Sequence, residues 1–290
     1  MWSPQQERLE NKVREGFLII DKPPNLLSHE VSAIIGRLFS TKAGHGGTLD
    51  PKVSGVLVVA LGRSARLLRF LTEMPKTYVG IVEFKEKKNK EGVERLFSSL
   101  TGVIEQLPPK EAAVARRRRK RMVYSLELLE LSEDGKFALF KARVEKGTYI
   151  RVLCEDMGGS MVDLRRVETA GIEEKDAVIM QKVVDAKLLH DRGDSKLLDS
   201  ILLGAGEIFW KSSLAKVVVN NKAAKNMARG APLYAPGIME VFGNIRNGLP
   251  IAVYSVGGSF IGVWRAVKDY KKESRGTVAK AERVHLNLLS

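Results

Sequence analysis

The 290-residue chain is poor in the residues that would announce several chemistries. It holds one cysteine, Cys154, so no internal disulfide framework can form, and that usage suits a reducing cytoplasm. Its four histidines, His29, His45, His190 and His285, are scattered without metal-like spacing. With a single thiol beside them, no zinc site or other metal is expected. No apolar run approaches the length needed to cross a bilayer, so no membrane partner is expected. Residues 1–12 are polar and charged, unlike the apolar core of a secretory leader. Also missing are the Gly-Lys-Ser/Thr ending of a phosphate loop, the dinucleotide glycine spacing and the nucleophile-elbow pattern. Helix-turn-helix and zinc-finger spacings are likewise lacking, which counts against a DNA-binding regulator.

What the chain has in excess is positive charge. Lys and Arg number 48 against 34 Asp and Glu, a formal net charge of +14 with a pI near 9.8. Such an excess repels itself in the folded state and suits a polyanionic partner. The plainer explanation is a solvated basic surface, common in heat-adapted proteins. Distribution favours the partner: the 80 residues from Lys211 onward carry +9, whereas the preceding 210 carry +5. A dedicated RNA- or DNA-binding module in the tail is therefore expected. At 44% hydrophobic and 28% charged, the chain reads as a globular protein with room for a large domain and an appendage.

Periodicity sketches the elements. Gly16 to Ile20 reads as a buried strand stopped by Asp21-Lys22-Pro23-Pro24. Ser28 has the type of a helix N-cap, ahead of Val31, Ile34, Ile35 and Leu38 at amphipathic spacing. Arg63 to Thr72 suits a helix with Leu67, Leu68 and Phe70 inward and three arginines outward. Thr77 to Phe84 alternates as a strand, and Glu91 to Leu100 suits a short helix. Met122 to Leu131 and Lys136 to Lys146 suit a hairpin, and a helix begins near Arg151. From Ala215 the texture changes to short strands with Gly/Pro punctuation. Strands and helices mix without a βαβ rhythm, so the fold class is α+β. The division expected is 1–210 and 211–290, with the lead 1–15 packing on the tail unit.

Chemistry concentrates in Gly44-His45-Gly46-Gly47-Thr48-Leu49-Asp50-Pro51. Glycines allow positive φ and close backbone approach to a ligand, and they deliver one carboxylate, Asp50. Read alone, an Asp-Pro pair is more often a turn or cap than a catalyst. The run Arg116, Arg117, Arg118, Arg119, Lys120, Arg121 places six cations in sequence. A solvated face is the usual reading of such a run, but in an already basic chain phosphate contact is the better one. Tyr78, Tyr149 and Arg151 would pass for ordinary strand residues.

Taken together, the segments resemble the TruB/dyskerin family of pseudouridine synthases, in its archaeal and eukaryotic branch. The resemblance runs from about Gly16 to the end. Its carriers are Gly44 to Gly55, similar to the family's catalytic loop, then Lys76-Thr77-Tyr78, Lys146-Gly147-Thr148-Tyr149-Ile150-Arg151 as a strand, and Leu164-Arg165-Arg166-Val167. Val217 to Asn220, Gly230 to Leu233 and Pro236 to Ile238 resemble a PUA domain. Two departures stand out: the stretch from Arg151 to Leu164 is shorter than in typical members, and Gly46 replaces a frequent Ser or Thr.

The resemblance implies a mixed-sheet catalytic domain followed by a small β-rich PUA domain. It implies isomerisation of uridine to pseudouridine in tRNA or rRNA, with no cofactor. Asp50 would be the nucleophile, at either C6 or C1′, with Arg151 as its ion-pair partner in a dehydrated pocket and Tyr78 stacking on the extruded base. His45 would contact RNA, Lys76 and Tyr149 would line the pocket, and Leu164 would pack near the base. On the PUA-like unit, Lys222, Lys225 and Arg229 are expected to bind RNA. Two modes stay open: a stand-alone enzyme for the TΨC loop of tRNA, or the catalytic subunit of an H/ACA guide ribonucleoprotein with a guide RNA and small proteins. The alternative function is a catalytically inactive RNA-binding or ribosome-assembly factor of the same fold.

Overall fold

A computed structural model of the protein describes residues 4, 7–109, 115 and 117–285. The strands of its first part are β1 Phe17–Lys22, β2 Ala43–His45, β3 Ser54–Leu61, β4 Lys76–Phe84, β5 Gly102–Gln106, β6 Arg119–Leu131, β7 Phe137–Val144, β8 Gly159–Thr169, β9 Ile172–Glu173 and β10 Val178–Ile179. Those of the tail are β11 Ala215–Val219, β12 Leu233–Tyr234, β13 Ile238–Phe242, β14 Pro250–Ser255, β15 Phe260–Ala266 and β16 Thr277–Val284. The helices are α1 Leu9–Glu15, α2 Ser28–Leu38, α3 Leu68–Thr72, α4 Lys90–Ser99, α5 Ile150–Asp156, α6 Met180–Asp191, α7 Lys196–Ile201, α8 Ala205–Lys211 and α9 Asn221–Met227.

The first ten strands form one mixed sheet in the order β10-β1-β3-β8-β4-β7-β6-β5, with β2 added to β3 and β9 to β8. Strand β3 is buried almost throughout because both of its faces are covered, which explains its unbroken apolar run. Its first residues pair parallel with β8, Ser54 with Arg165 and Gly55 with Arg166. Its last residues pair antiparallel with β2. The chain between β2 and β3 therefore emerges at the middle of the sheet, beside β8 and β4.

The expected helix from Arg63 to Thr72 opens instead as a 3-10 turn over Gly62–Leu67, before α3. The outward Arg63 and Arg66 and the inward Ser64 and Leu67 are spaced by three, a period that a 3-10 turn satisfies as well as an α-helix. The lead also differs in part from expectation. Leu9 and Val13 of α1 pack on the core of the first sheet, and buried Lys12 donates to Asp199 of α7 at 2.8 Å. Toward the tail, the carboxylates of Glu7 and Glu15 act on His285, whose pKa burial nevertheless holds below the usual range.

The tail forms a second sheet, β12-β16-β15-β14-β11-β13, packed around Trp264. The two sheets share apolar contacts. Phe17, Ile19, Val56 and Phe70 lie in one cluster with Phe209 of α8 and with Tyr254, Phe260 and Val263 of the tail. Phe209 stacks on Phe260 at 5.2 Å and meets Phe17 edge-on at 6.4 Å. The Tyr254 hydroxyl donates to the Gly206 carbonyl at 2.9 Å, so its polar end is satisfied inside the joint. We expect Phe209→Ala to destabilise the chain by about 3–5 kcal/mol, because the cavity would open at the seam of both sheets. A denaturant titration with probes in each sheet tests this, and near-native stability would show that the seam is not a common core.

Candidate active site

The loop carrying Asp50 is held by side chains that donate to, or accept from, its backbone. Arg166 on β8 is buried; its Nε donates to the Val56 carbonyl at 2.8 Å and its Nη2 to the Gly47 carbonyl at 3.1 Å. Lys22, at the end of β1, is buried too, and its Nζ donates to the carbonyls of Pro23, Leu26 and Pro51. The Ser28 hydroxyl accepts from Leu49 N–H at 2.8 Å and donates to the Leu49 carbonyl at 3.1 Å. Ser28 is thus not the N-cap of α2 but its first residue, turned toward the loop. Leu27 holds the cap position, and its N–H donates to Glu30. Gly55 has φ +106° and lies so close to the backbone of Arg166 that a Cβ would come within 2.2 Å of its carbonyl oxygen. The glycine is what lets β3 approach β8 there.

Asp50 and Arg151 are brought together from 101 positions apart, and the Arg151 Nη2 donates to the Asp50 carboxylate. The strand that the family likeness implies through Tyr149 and Arg151 is absent, while the helix expected from near Arg151 is present. Gly147 has φ +75°, Thr148 and Tyr149 form a connector, and Arg151 is the second residue of α5. Of the aromatic and β-branched residues that suggest a strand here, Tyr149 is instead clamped through its backbone. Gln106, buried at the end of β5, accepts from Tyr149 N–H at 3.0 Å and donates to the Tyr149 carbonyl at 3.1 Å. That two-point bond sets where α5 begins, and therefore where the guanidinium points.

Above the pair opens a cavity of about 490 Å³ lined by Asp50, Lys76, Tyr78, Tyr149, Arg151, Leu164 and Arg166, among others. Tyr78 stands on β4 and Leu164 on the adjoining β8, where Gly80 leaves room for Leu164 to lie across the sheet. The dehydrated pocket expected from the sequence is not a property of the chain alone. The side chains of Asp50 and Arg151 are 48% and 40% exposed. An exposed pair of this kind contributes about 0–1 kcal/mol to stability, so its value lies in aiming two groups.

Lys76 is, with Arg166, one of two buried basic side chains in the cavity wall. Its Nζ donates to the carbonyls of Thr72 at 2.9 Å and Met74 at 2.7 Å. Burial, then the neighbouring Arg166 and Lys146, push its pKa down to about 7, with Glu168 acting in the opposite direction. His45 sits on β2 paired with Val59, outside the residues that line the cavity. Burial, with Arg166 and His29 near, holds its imidazole below the usual range.

The basic run is divided by the fold. Arg116 lies outside the described residues, Arg117 and Arg118 are exposed, and Arg119, Lys120 and Arg121 begin β6. Arg121 Nε donates to the Gly147 carbonyl at 3.0 Å, which places the run beside the turn that leads to Arg151. On the tail, Lys222, Lys225 and Arg229 are exposed along or just after α9. Lys222 borders a second cavity of about 250 Å³ with Asn220, Asn226 and Tyr234. Among the described residues, no group of three His, Cys, Asp or Glu is placed to hold a metal ion. None of their helices is long and apolar enough to cross a membrane.

Comparison with known proteins bears directly on this arrangement. Residues 37–150 match the TruB family pseudouridylate synthase N-terminal domain, and residues 215–283 match the PUA domain. A probable tRNA pseudouridine synthase B of Pyrobaculum calidifontis is 39% identical over 292 residues, covering 97% of this chain and 86% of that protein. The chain belongs to the TruB family of pseudouridine synthases. A probable tRNA pseudouridine synthase B of Methanocaldococcus jannaschii is 36% identical, over 98% of this synthase and 87% of its relative. The crystal structure of a Cbf5-Nop10-Gar1 complex superposes with a TM-score of 0.87 at 31% identity, covering 98% of this synthase and 89% of that chain. The structure of an H/ACA RNP bound to a substrate RNA containing 2′-deoxyuridine gives 0.83 at 29% identity, over 97% and 88%.

Sequence reasoning singled out most of the groups that face the cavity, together with His45, which does not line it, and missed Arg166 in its wall and Lys22, Ser28 and Gln106 behind it. Arg166 lies inside a motif noted for its neighbour Leu164, and an arginine in a strand otherwise reads as a surface residue. The synthase's depressed Lys76 has a measurable consequence. A lysine ordinarily titrates near 10.5, so between about 7 and 10.5 the unfolded chain holds a proton that the folded chain has released. Stability should therefore rise with pH across that window, and below it the cost of burying the charge is borne in full. Lys76→Met should remove that slope. Thermal melts of both proteins from pH 6 to pH 10 that run parallel would refute the assignment.

Proposed function

We propose that the synthase isomerises uridine to pseudouridine in tRNA or rRNA, with Asp50 as nucleophile, Arg151 as its partner and Tyr78 stacked on the extruded base. The observation that carries this reading is the Asp50–Arg151 pair at an open cavity walled by Tyr78 and Leu164. The cavity has room for one unstacked pyrimidine, and entry of that base would displace the water that now reaches the pair. The carboxylate then adds either to C6 of the uracil or to C1′ of the ribose. The N1–C1′ bond breaks, the base turns within the cavity, and C5 bonds to C1′ as the carboxylate leaves; C5 gives up its proton and N1 takes one up, so the proton count is unchanged. Product and substrate contain the same atoms, so the chemistry calls for no cofactor.

Residues 1–210 form the catalytic unit in this reading, and 211–290 hold RNA away from the reacting base. The named relatives support tRNA as substrate, and the solved H/ACA assemblies support a substrate RNA bound within a ribonucleoprotein that has further protein partners, the setting in which a guide RNA would act. In the same reading His45 lies beside the substrate strand, and the exposed Lys222, Lys225 and Arg229 meet RNA phosphates. Cys154, a buried free thiol pushed up to about 12 by burial, suits a cytoplasmic setting. An inactive assembly factor of this fold would be expected to have lost Asp50 or Arg151, and both are present and paired.

Asp50→Asn should abolish formation of pseudouridine in unmodified tRNA while leaving RNA affinity in place; normal turnover by that variant would disprove the nucleophile assignment. Running the reaction with and without guide RNA separates the two modes. Replacing Arg117 and Arg118 with Ala should weaken RNA binding and reduce the slope of log affinity against log salt by about one for each phosphate that is no longer neutralised. An unchanged slope would mean that this run is merely solvated.

A further inference from the structure

The cavity is gripped from outside by the tail. Arg265 on β15 uses every N–H of its guanidinium. Its Nε and Nη2 donate to Glu282 of β16 at 2.7 and 2.9 Å, and its Nη1 donates to the Gly248 carbonyl at 2.8 Å. The remaining N–H groups reach across to Glu73 of the first part, at 3.0 to 3.1 Å. Glu73 caps the C-terminal end of α3, and its two neighbours are Thr72 and Met74. Those are the residues whose carbonyls receive the Lys76 ammonium. One turn earlier on α3, Arg69 also reaches Glu282, at 3.5 Å. A single turn is thus held by a tail arginine on its outer side and by a cavity lysine on its inner side.

Holding the two parts together does not require this bridge, since the apolar seam through Phe209, Tyr254 and Phe260 already joins them. What the bridge adds is direction. We propose that Arg265 is a positioning residue for the catalytic cavity: through Glu73 it fixes the turn 72–74, and so sets where the Lys76 Nζ sits in the cavity that Asp50 also lines. The inference rests on the reading of this cavity as the uridine site. Lys76 reports on the turn because burial, and then Arg166 and Lys146, disfavour its charge while Glu168 favours it, and two carbonyls of the turn itself accept from its Nζ. Loosening the turn admits water and returns the lysine toward its ordinary titration range.

The test uses the full chain with 13Cε-labelled lysine, the Lys76 resonance being identified by its loss in Lys76→Met. In the intact protein Lys76 should titrate near 7. In Arg265→Met, and in the milder Glu73→Gln, the midpoint should rise by about one unit or more, whereas Arg229→Met should leave it unchanged. At saturating RNA, both bridge variants should lose about ten-fold in kcat with little change in KM, and joining either to Lys76→Met should slow the enzyme no further. A midpoint that does not move in Glu73→Gln overturns the inference whatever the activity. Effects confined to KM overturn it as well and reduce Arg265 to an RNA or domain contact. Failure of the intact enzyme to convert uridine would count against the proposed function instead, because the titration is read without turnover.

Discussion

Two buried cations that hydrogen-bond to backbone carbonyls are the constraint on which the site depends. A loop rich in glycine has many conformations, and ordering it costs about 1–2 kcal/mol per residue in backbone entropy. Here Arg166 and Lys22 reach the loop from β8 and β1, taking the carbonyls of Gly47 and Pro51 as partners, and Ser28 holds Leu49 between them. Asp50 is thereby suspended between fixed points while its own carboxylate faces the cavity and Arg151. Burying a guanidinium and an ammonium is tolerable because their donors find carbonyl partners; removal of Arg166 would strand two acceptors.

The opposite side of the site follows the same logic with neutral groups. Gln106 closes a two-point amide bond on Tyr149, which fixes the first turn of α5 and hence Arg151. The acid and its partner are each exposed, yet each is delivered by a rigid support. This is preorganisation: placement is settled before substrate arrives, and desolvation is left to the incoming base.

The tail is not a loosely tethered appendage. Its sheet contributes Tyr254, Phe260 and Val263 to the cluster that covers β1 and β3, and its Arg265 grips the end of α3. A change of texture near Lys211 is a good marker of where a new sheet begins. It carries no information about whether the two sheets share a core, because apolar residues at a joint look like apolar residues anywhere.

The α+β class, the alternating strands from Thr77 and Met122, the β-rich tail and the glycine loop with its single carboxylate were all legible in the sequence. Each is a local pattern, set by side-chain period or by the conformational freedom of glycine. The pairing of Asp50 with Arg151 was reachable only through likeness to a family, since no local rule links residues a hundred positions apart. What the tertiary structure alone decided is the set of supports: Ser28 turned from cap to loop anchor, Tyr149 held by its backbone just ahead of α5, and Lys22, Gln106 and Arg166 recruited to backbone groups. A buried lysine and a solvated one are the same letter in a sequence. Which one it becomes depends on whether distant strands bring carbonyls within hydrogen-bonding reach, and that is a property of the packed chain.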